Sequence, residues 1–247
     1  MTALRRIYER YGHWWEHLYA IALVFTLTQG PVYKLWRTAE FYTPVPINPT
    51  WQATFVAVQI PALMLLARRG LRREFLCGPF AALVGLLGWM ALSVTWTNLS
   101  RYAAIDALAL AVTAGAGLYL GSRFSSRQLV VVVCFATQLG VVLSYLAIKK
   151  SWSESIDGDG NWIGIYFNRN SLGPVAMLGL VTACVIGVSL LRAKWFRYRF
   201  HLLAFVVLAA LLDAVVYVQS GSSTSVGAVA VAIIARAVWL AIGQWQS

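Results

Sequence analysis

Eight apolar runs, each of membrane-crossing length and joined by segments that carry most of the charge, leave this chain little choice of architecture. A hydrocarbon core of about 30 Å takes roughly 17 to 25 apolar residues to cross as a helix. Lipid offers no partners to backbone N–H and C=O groups, so each run must close its hydrogen bonds internally. The runs fall at 15–32, 51–67, 79–96, 102–121, 128–148, 172–191, 201–218 and 226–243. A 60% share of hydrophobic residues against 12% charged, with a mean hydropathy of +0.68, excludes an ordinary soluble domain. The expected fold class is all-α: a polytopic integral membrane protein of about eight transmembrane helices, forming one transmembrane domain across 1–247.

The formal net charge of +11 does not mark a nucleic-acid partner, because the basic residues lie between the apolar runs and not on a separable domain with interleaved aromatics. With the N-terminus in the cytoplasm, 13 of the 20 basic residues fall inside, among them Arg68, Arg69, Arg72, Arg73 and Arg192. Six fall outside: Lys34, Arg37, Arg101, Lys149, Lys150 and Arg169. Arg236 sits in the last run, with a stem long enough to carry its charge to the cytoplasmic interface. The positive-inside rule then places both termini in the cytoplasm of a multi-pass inner (cytoplasmic) membrane protein, with the lipid bilayer as its first partner. The basic, aromatic leader has no small-residue cleavage site and reads as continuing into a retained first span. Cys77, Cys134 and Cys184 have no spacing that would hold zinc, so no metal and no cofactor is expected.

Two connections are long, 33–50 and 149–171, and both fall on the external face. In the first, Pro44, Pro46 and Pro49 favour extended backbone. The second is the most polar part of the chain and leads straight into the sixth run. It ends in GIYFNRNSLGP, where Gly164 permits a tight backbone approach and Tyr166 and Phe167 can embed at the interface. Asn168, Arg169 and Asn170 supply amides and a guanidinium, with Asn170 as a cap-type residue ahead of the helix. A helix N-terminus beside an arginine suits an anion such as phosphate or pyrophosphate. An asparagine there is equally well only a cap.

Polar groups inside the runs are expensive and call for a role. Asp106 and Asp213 each fall about one turn from the external end of their runs, with Asn98 and Arg101 in one external turn and the uncharged segment QSGSSTS, 219–225, in another. These groups share a depth and would form one external cavity. Alternatively, Asp106 complements the positive end of its own helix and pairs with Arg101, and Asp213 caps a neighbouring loop. Gln59 and Gln138, near mid-bilayer, are expected to make interhelical hydrogen bonds. Pro61 should kink the second run as a packing bend, and Gly85 and Gly88, or Gly115 and Gly117, permit close helix approach. His13, His17 and His201 all fall at the cytoplasmic side, away from any external chemistry.

At Gly164, Asn168, Asn170, Leu172 and Gly173 the chain resembles the O-antigen ligase and polymerase superfamily, whose external loop carries a G-x-x-x-N/H-x-N-x-L-G pattern at a helix entry. Ser220, Ser222 and Thr224 match the serine-rich S-x-S-x-T turn of its exopolysaccharide polymerase branch, and the resemblance runs over about 92–240. It implies metal-independent glycosyl transfer, as ligase or polymerase, in cell-surface polysaccharide biosynthesis. The donor would be an undecaprenyl diphosphate-linked glycan at the outer face of the cytoplasmic membrane, with a glycan or lipid hydroxyl as acceptor. Because the leaving group is already a diphosphate, the protein's tasks are to clamp charge and orient the acceptor. Arg169 and Arg101 are the clamp candidates; Asn168, Asn170, Gly164, Ser220, Ser222 and Thr224 complete the substrate-binding set. Family members are longer, with about a dozen helices and a large external loop bearing arginines and a histidine, so the resemblance implies the N-terminal portion of that fold, as a fragment or as a shortened form. The catalytic base has no counterpart here, leaving Asp106 and Asp213 as the substitutes. Asn161 and Trp162 stand where many members carry an arginine. A transporter or flippase, or a non-catalytic scaffold for polysaccharide-assembly proteins, are the competing readings.

Overall fold

The computed structural model describes residues 3–28, 30, 49–69, 78–98, 100–152, 155–192, 199–224 and 227. Among them the chain is all-helical. The helices are α1 (Ala3–Leu27), α2 (Pro49–Arg69), α3 (Gly78–Ser93), α4 (Ser100–Arg123), α5 (Ser126–Lys149), α6 (Arg169–Arg192) and α7 (Arg199–Ser220). Four of these, α4 to α7, contain stretches long and apolar enough to cross a membrane, and shorter apolar stretches lie in α2 and α3. The chain is therefore a multi-pass helical membrane protein. Apart from residue 227 the eighth apolar run falls outside the described residues, as does the three-proline connection, except that Pro49 opens α2. Its missing N–H costs nothing at a first helical position.

Two compact units divide the chain: 1–27 with 38–129, and 28–37 with 130–247. In the first, α2 packs on α4, α3 on α4 and α1 on α2. Pro61 lies inside α2, next to a polar contact from another helix. The Tyr19 hydroxyl of α1 donates to the Val58 carbonyl at 2.9 Å and accepts from the Ala62 amide at 2.9 Å. These two backbone groups stand four residues apart, so the phenol bridges one rung of the α2 ladder next to the proline. At the end of α4, the Arg123 guanidinium binds Glu16 of α1, and His17 meets the Phe124 ring edge-on at 5.0 Å. Close approach rests on Gly115, where a Cβ would strike the Leu63 side chain. Gly85, Gly88 and Gly117 face open space instead, contrary to the sequence expectation, because small residues in a run do not reveal which side meets a neighbour.

In the second unit α6 and α7 lie tightly against each other. The buried side of α6 carries Ala176, Gly179, Ala183 and Gly187, a small-residue spacing that lets backbones approach. Asp213, Val216 and Ser220 form the matching buried side of α7, while Phe205, Leu208, Leu211 and Val218 point outward as a helix in lipid requires. The buried positions of α5 include Cys134, Gln138, Gly140, Val141 and Ser144. This helix stops in a Schellman arrangement: the Trp152 amide bonds to the Ala147 carbonyl at 3.0 Å and the Ser151 amide to Ile148 at 3.0 Å. Ser151 accepts the left-handed conformation there, with φ of 51°.

Candidate functional site

The polar loop between α5 and α6 is built on a short hairpin. Asp157 Oδ1 accepts from the amides of Asp159 at 2.9 Å and Asn161 at 2.8 Å, and the Asn161 side-chain amide reaches both carboxylate oxygens. An aspartate that organises its own following backbone makes a tight turn without a helix or sheet to hold it. One antiparallel bridge, Ile156 to Trp162, closes the turn. Burial pushes the Asp157 carboxyl up, but the hydrogen bonds from Asn161 and the Asp159 amide, with the Arg169 charge, outweigh it and leave the group below the usual carboxylate range.

Beyond the hairpin the chain dives into the unit. Gly164 has φ of 65° and lies on α5 so closely that a Cβ would fall 2.5 Å from Ser144 Oγ and 2.9 Å from its Cα. The Ser144 hydroxyl in turn accepts from the Ile165 amide at 3.3 Å. Tyr166 is 1% exposed, its ring seated against Gly30 and its hydroxyl against Gly140, 3.2 Å from the Thr28 hydroxyl. Burial pushes its phenol up to about 12, the Thr28 hydrogen bond working weakly against this, so it is neutral in any physiological medium. Tyr166 is thus an interior anchor, not the interfacial residue its sequence context suggested. Phe167 is the exposed member of the pair.

At the entry of α6 the cap is Asn168: its Oδ1 accepts from the Ser171 amide at 2.9 Å and the Ser171 hydroxyl at 3.1 Å. Asn170, the residue of cap type singled out in the sequence, is already inside the helix, which opens at Arg169. The inward dive at Gly164 brings the turn two residues earlier than the apolar run implies. Arg169 is half-exposed, with Nη1 3.8 Å from Asp159 Oδ2.

The hairpin and the segment after α7 meet at this same end of the unit. The Trp162 amide donates to the Gln219 carbonyl at 3.0 Å, and Gly221, at φ of 57°, lies so near Asn161 that a Cβ would be 2.6 Å from Asn161 Oδ1. Ser222 Oγ is 3.5 Å from Asn170 Oδ1. Ser220 is buried and bonds back to the Tyr217 carbonyl at 2.7 Å, whereas Thr224 is exposed. Gly164, Asn168, Arg169, Asn170, Ser220 and Ser222 therefore belong to one end of one unit. Asp159, Asn161 and Ser144, which hold that end together, were not expected; the Asp-Gly-Asp-Gly-Asn run at 157–161 was the available signal for the first two. Arg101 and Asp106 belong to the other unit. The Arg101 side chain lies outside the described residues, and Asp106 is exposed on α4 without a hydrogen bond or ion pair among the described residues.

Asp213 lies deeper than the sequence suggested. It is seven residues from the end of α7, about 10 Å along the axis at roughly 1.5 Å per residue. It neither caps a loop nor faces outward. It is 0% exposed, with Gln138 Nε2 of α5 donating to Oδ2 while Oδ1 has no hydrogen-bond partner among the described residues. Gly179 of α6 leaves the space: a Cβ there would lie 2.8 Å from Oδ2 and 2.9 Å from Oδ1. The Thr182 hydroxyl bonds the Leu178 and Gly179 carbonyls at 2.8 and 3.0 Å and also pairs with the Cys134 thiol. The interhelical hydrogen bond expected of Gln138 is present, whereas the Gln59 amide bonds the Phe55 carbonyl of its own helix at 3.2 Å.

Among the described residues no cluster of His, Cys, Asp or Glu is arranged to hold a metal ion. Compared with protein-family models, curated proteins and solved structures, the chain matches none.

Proposed function

We propose that this chain is an O-antigen ligase or polymerase-like membrane protein of cell-surface polysaccharide biosynthesis. In this reading it works at the outer face of the cytoplasmic membrane on an undecaprenyl diphosphate-linked donor, with eight spans and both termini inside. One observation carries the reading. The two segments on which the resemblance rests, around Asn168 and around Ser222, are some fifty residues apart in sequence yet lie together at one end of the second unit, with Ser222 Oγ 3.5 Å from Asn170 Oδ1.

That end has the chemistry a diphosphate needs. A half-exposed guanidinium at Arg169 stands at the positive end of α6, with the Asn170 amide and Ser222 hydroxyl adjacent. Glycosyl transfer from such a donor forms a bond from the acceptor oxygen to the anomeric carbon as the bond to the diphosphate breaks. The clamp stabilises the leaving charge. The base that takes the acceptor proton is unassigned, since Asp213 is enclosed in the unit interior.

Replacing Arg169 with alanine is expected to abolish surface glycan while protein abundance stays normal. Arg169→Lys should recover only part of the activity, because an ammonium keeps the charge but loses the bidentate fork. Unchanged glycan on cells carrying Arg169→Ala at normal abundance would remove the clamp role.

A further inference from the structure

We propose that Asp213 and Gln138 form a membrane-interior proton-binding site, in which the Asp213 carboxyl holds one exchangeable proton where α5, α6 and α7 converge. The inference stands on the interior of the second unit and is independent of the glycan reading.

Three observations combine. First, Asp213 is fully buried about 10 Å inside a membrane-length helix at roughly 1.5 Å per residue, and no Lys, Arg or His among the described residues pairs with it. An isolated carboxylate in such a place lacks compensation, and a cation must supply it. Second, the carboxyl is half-satisfied: Gln138 donates to Oδ2, and Oδ1 is buried with no hydrogen-bond partner among the described residues. A carboxylate can only accept, whereas an un-ionised carboxyl can also donate, and a primary amide can exchange hydrogen bonds with it in both directions. Third, the described residues around it are too poor in oxygen for a metal cation. Gly179 presents no side chain, and the Thr182 hydroxyl is spent on the Leu178 and Gly179 carbonyls. A sodium-sized ion takes about six oxygen ligands, as hard cations do; a proton needs one. Among the described residues, Cys134 of α5 is the titratable group beside the carboxyl, while α6 contributes Gly179 and Thr182, neither of which titrates.

The site also couples proton occupancy to packing. With the proton in place, a neutral carboxyl rests against the bare backbone of Gly179. Without it, a charge is left between three apolar helices, and the relief available is for α7 to part from α5 and α6.

The test is infrared spectroscopy of the full chain in lipid nanodiscs at neutral pH, with aspartate side-chain carboxyls labelled with carbon-13. The expected result is an isotope-sensitive C=O stretch of an un-ionised carboxyl that disappears completely in Asp213→Asn. Only carboxylate stretches in the wild-type protein, or an un-ionised band that persists in Asp213→Asn, would overturn the proposal. If Asp213→Asn does not fold, the triple variant Asp106→Asn, Asp157→Asn, Asp159→Asn leaves Asp213 as the one aspartate. Presence of the band in that protein then supports the site, and its absence rejects it.

Discussion

Two glycines show how single residues set the geometry of the second unit. Gly164 combines a left-handed backbone with contact against Ser144, so Gly164→Ala meets both conformational strain and a clash with the α5 backbone. A loss of roughly 1–3 kcal/mol is expected, read as a lower midpoint of denaturation in detergent. Gly179 faces a different obstacle: an added methyl meets the Asp213 carboxyl, a short side chain pinned by Gln138. Gly179→Ala should therefore destabilise by about 1–3 kcal/mol as overpacking does, and Gly85→Ala, which faces open space, should not. Equal midpoints for the Gly179 and Gly85 variants would contradict the tight α6–α7 approach. Asp157 sets the pH behaviour of the hairpin. Its folded-state pKa is depressed, so its contribution is present above the ordinary aspartate range and is lost as pH falls through the lowered value. Amide exchange across 157–163 should accelerate below about pH 4, the ordinary aspartate value, and Asp157→Asn should remove that acid sensitivity.

Helix ends and helix interiors depend on different donors. Asn168→Ala removes the α6 cap and should cost about 1 kcal/mol, while Asn170→Ala, one residue inside the helix, should cost less. Circular dichroism through a thermal scan separates the two. In α2 the Tyr19 hydroxyl bonds both the Val58 carbonyl and the Ala62 amide beside Pro61. Tyr19→Phe leaves both groups to find new partners in an apolar setting, with an expected loss of about 1–3 kcal/mol. That the ladder lacks a donor at Pro61 was legible from the sequence, because proline has no amide hydrogen wherever it sits. The neighbouring contact was not, since nothing in the order of residues 15–27 says that a phenol of α1 will meet that turn. The cap shows the same limit on a smaller scale. Two asparagines, one residue apart from Arg169 on either side, have identical chemistry, and the inward path of Gly164 to Tyr166 decides which of them stands at the helix mouth.

For the whole molecule, the proposed topology puts the hairpin at 157–161 outside the cell and the α5 start and α6 end inside. Single cysteines at Gly158 and at Arg127, in a background with the native cysteines replaced, should divide cleanly: a membrane-impermeant maleimide added to intact spheroplasts labels the first and spares the second until lysis. The opposite pattern would invert the orientation. Both positions are exposed, so the reagent tests sidedness and not burial.

What the sequence determined was the class of the molecule and the address of its polar chemistry. Long apolar runs must be helical in lipid whatever they pack against, and a polar island between two of them has to lie at a surface. What only the tertiary structure decided was which polar groups meet. Asp213 looked like an external group because hydropathy marks the apolar limits of a run; the helix itself continues to Ser220, and the side chain points across to Gln138 and Gly179. Ser222 and Asn170 carry nothing in their local sequence that pairs them, yet the fold sets them 3.5 Å apart. Backbone hydrogen bonding and transfer into lipid are properties of a segment, so they can be read from it. Side-chain partnership depends on the rotation and depth of helices relative to one another, which is settled by packing of small residues and by the few places where one buried polar group can satisfy another.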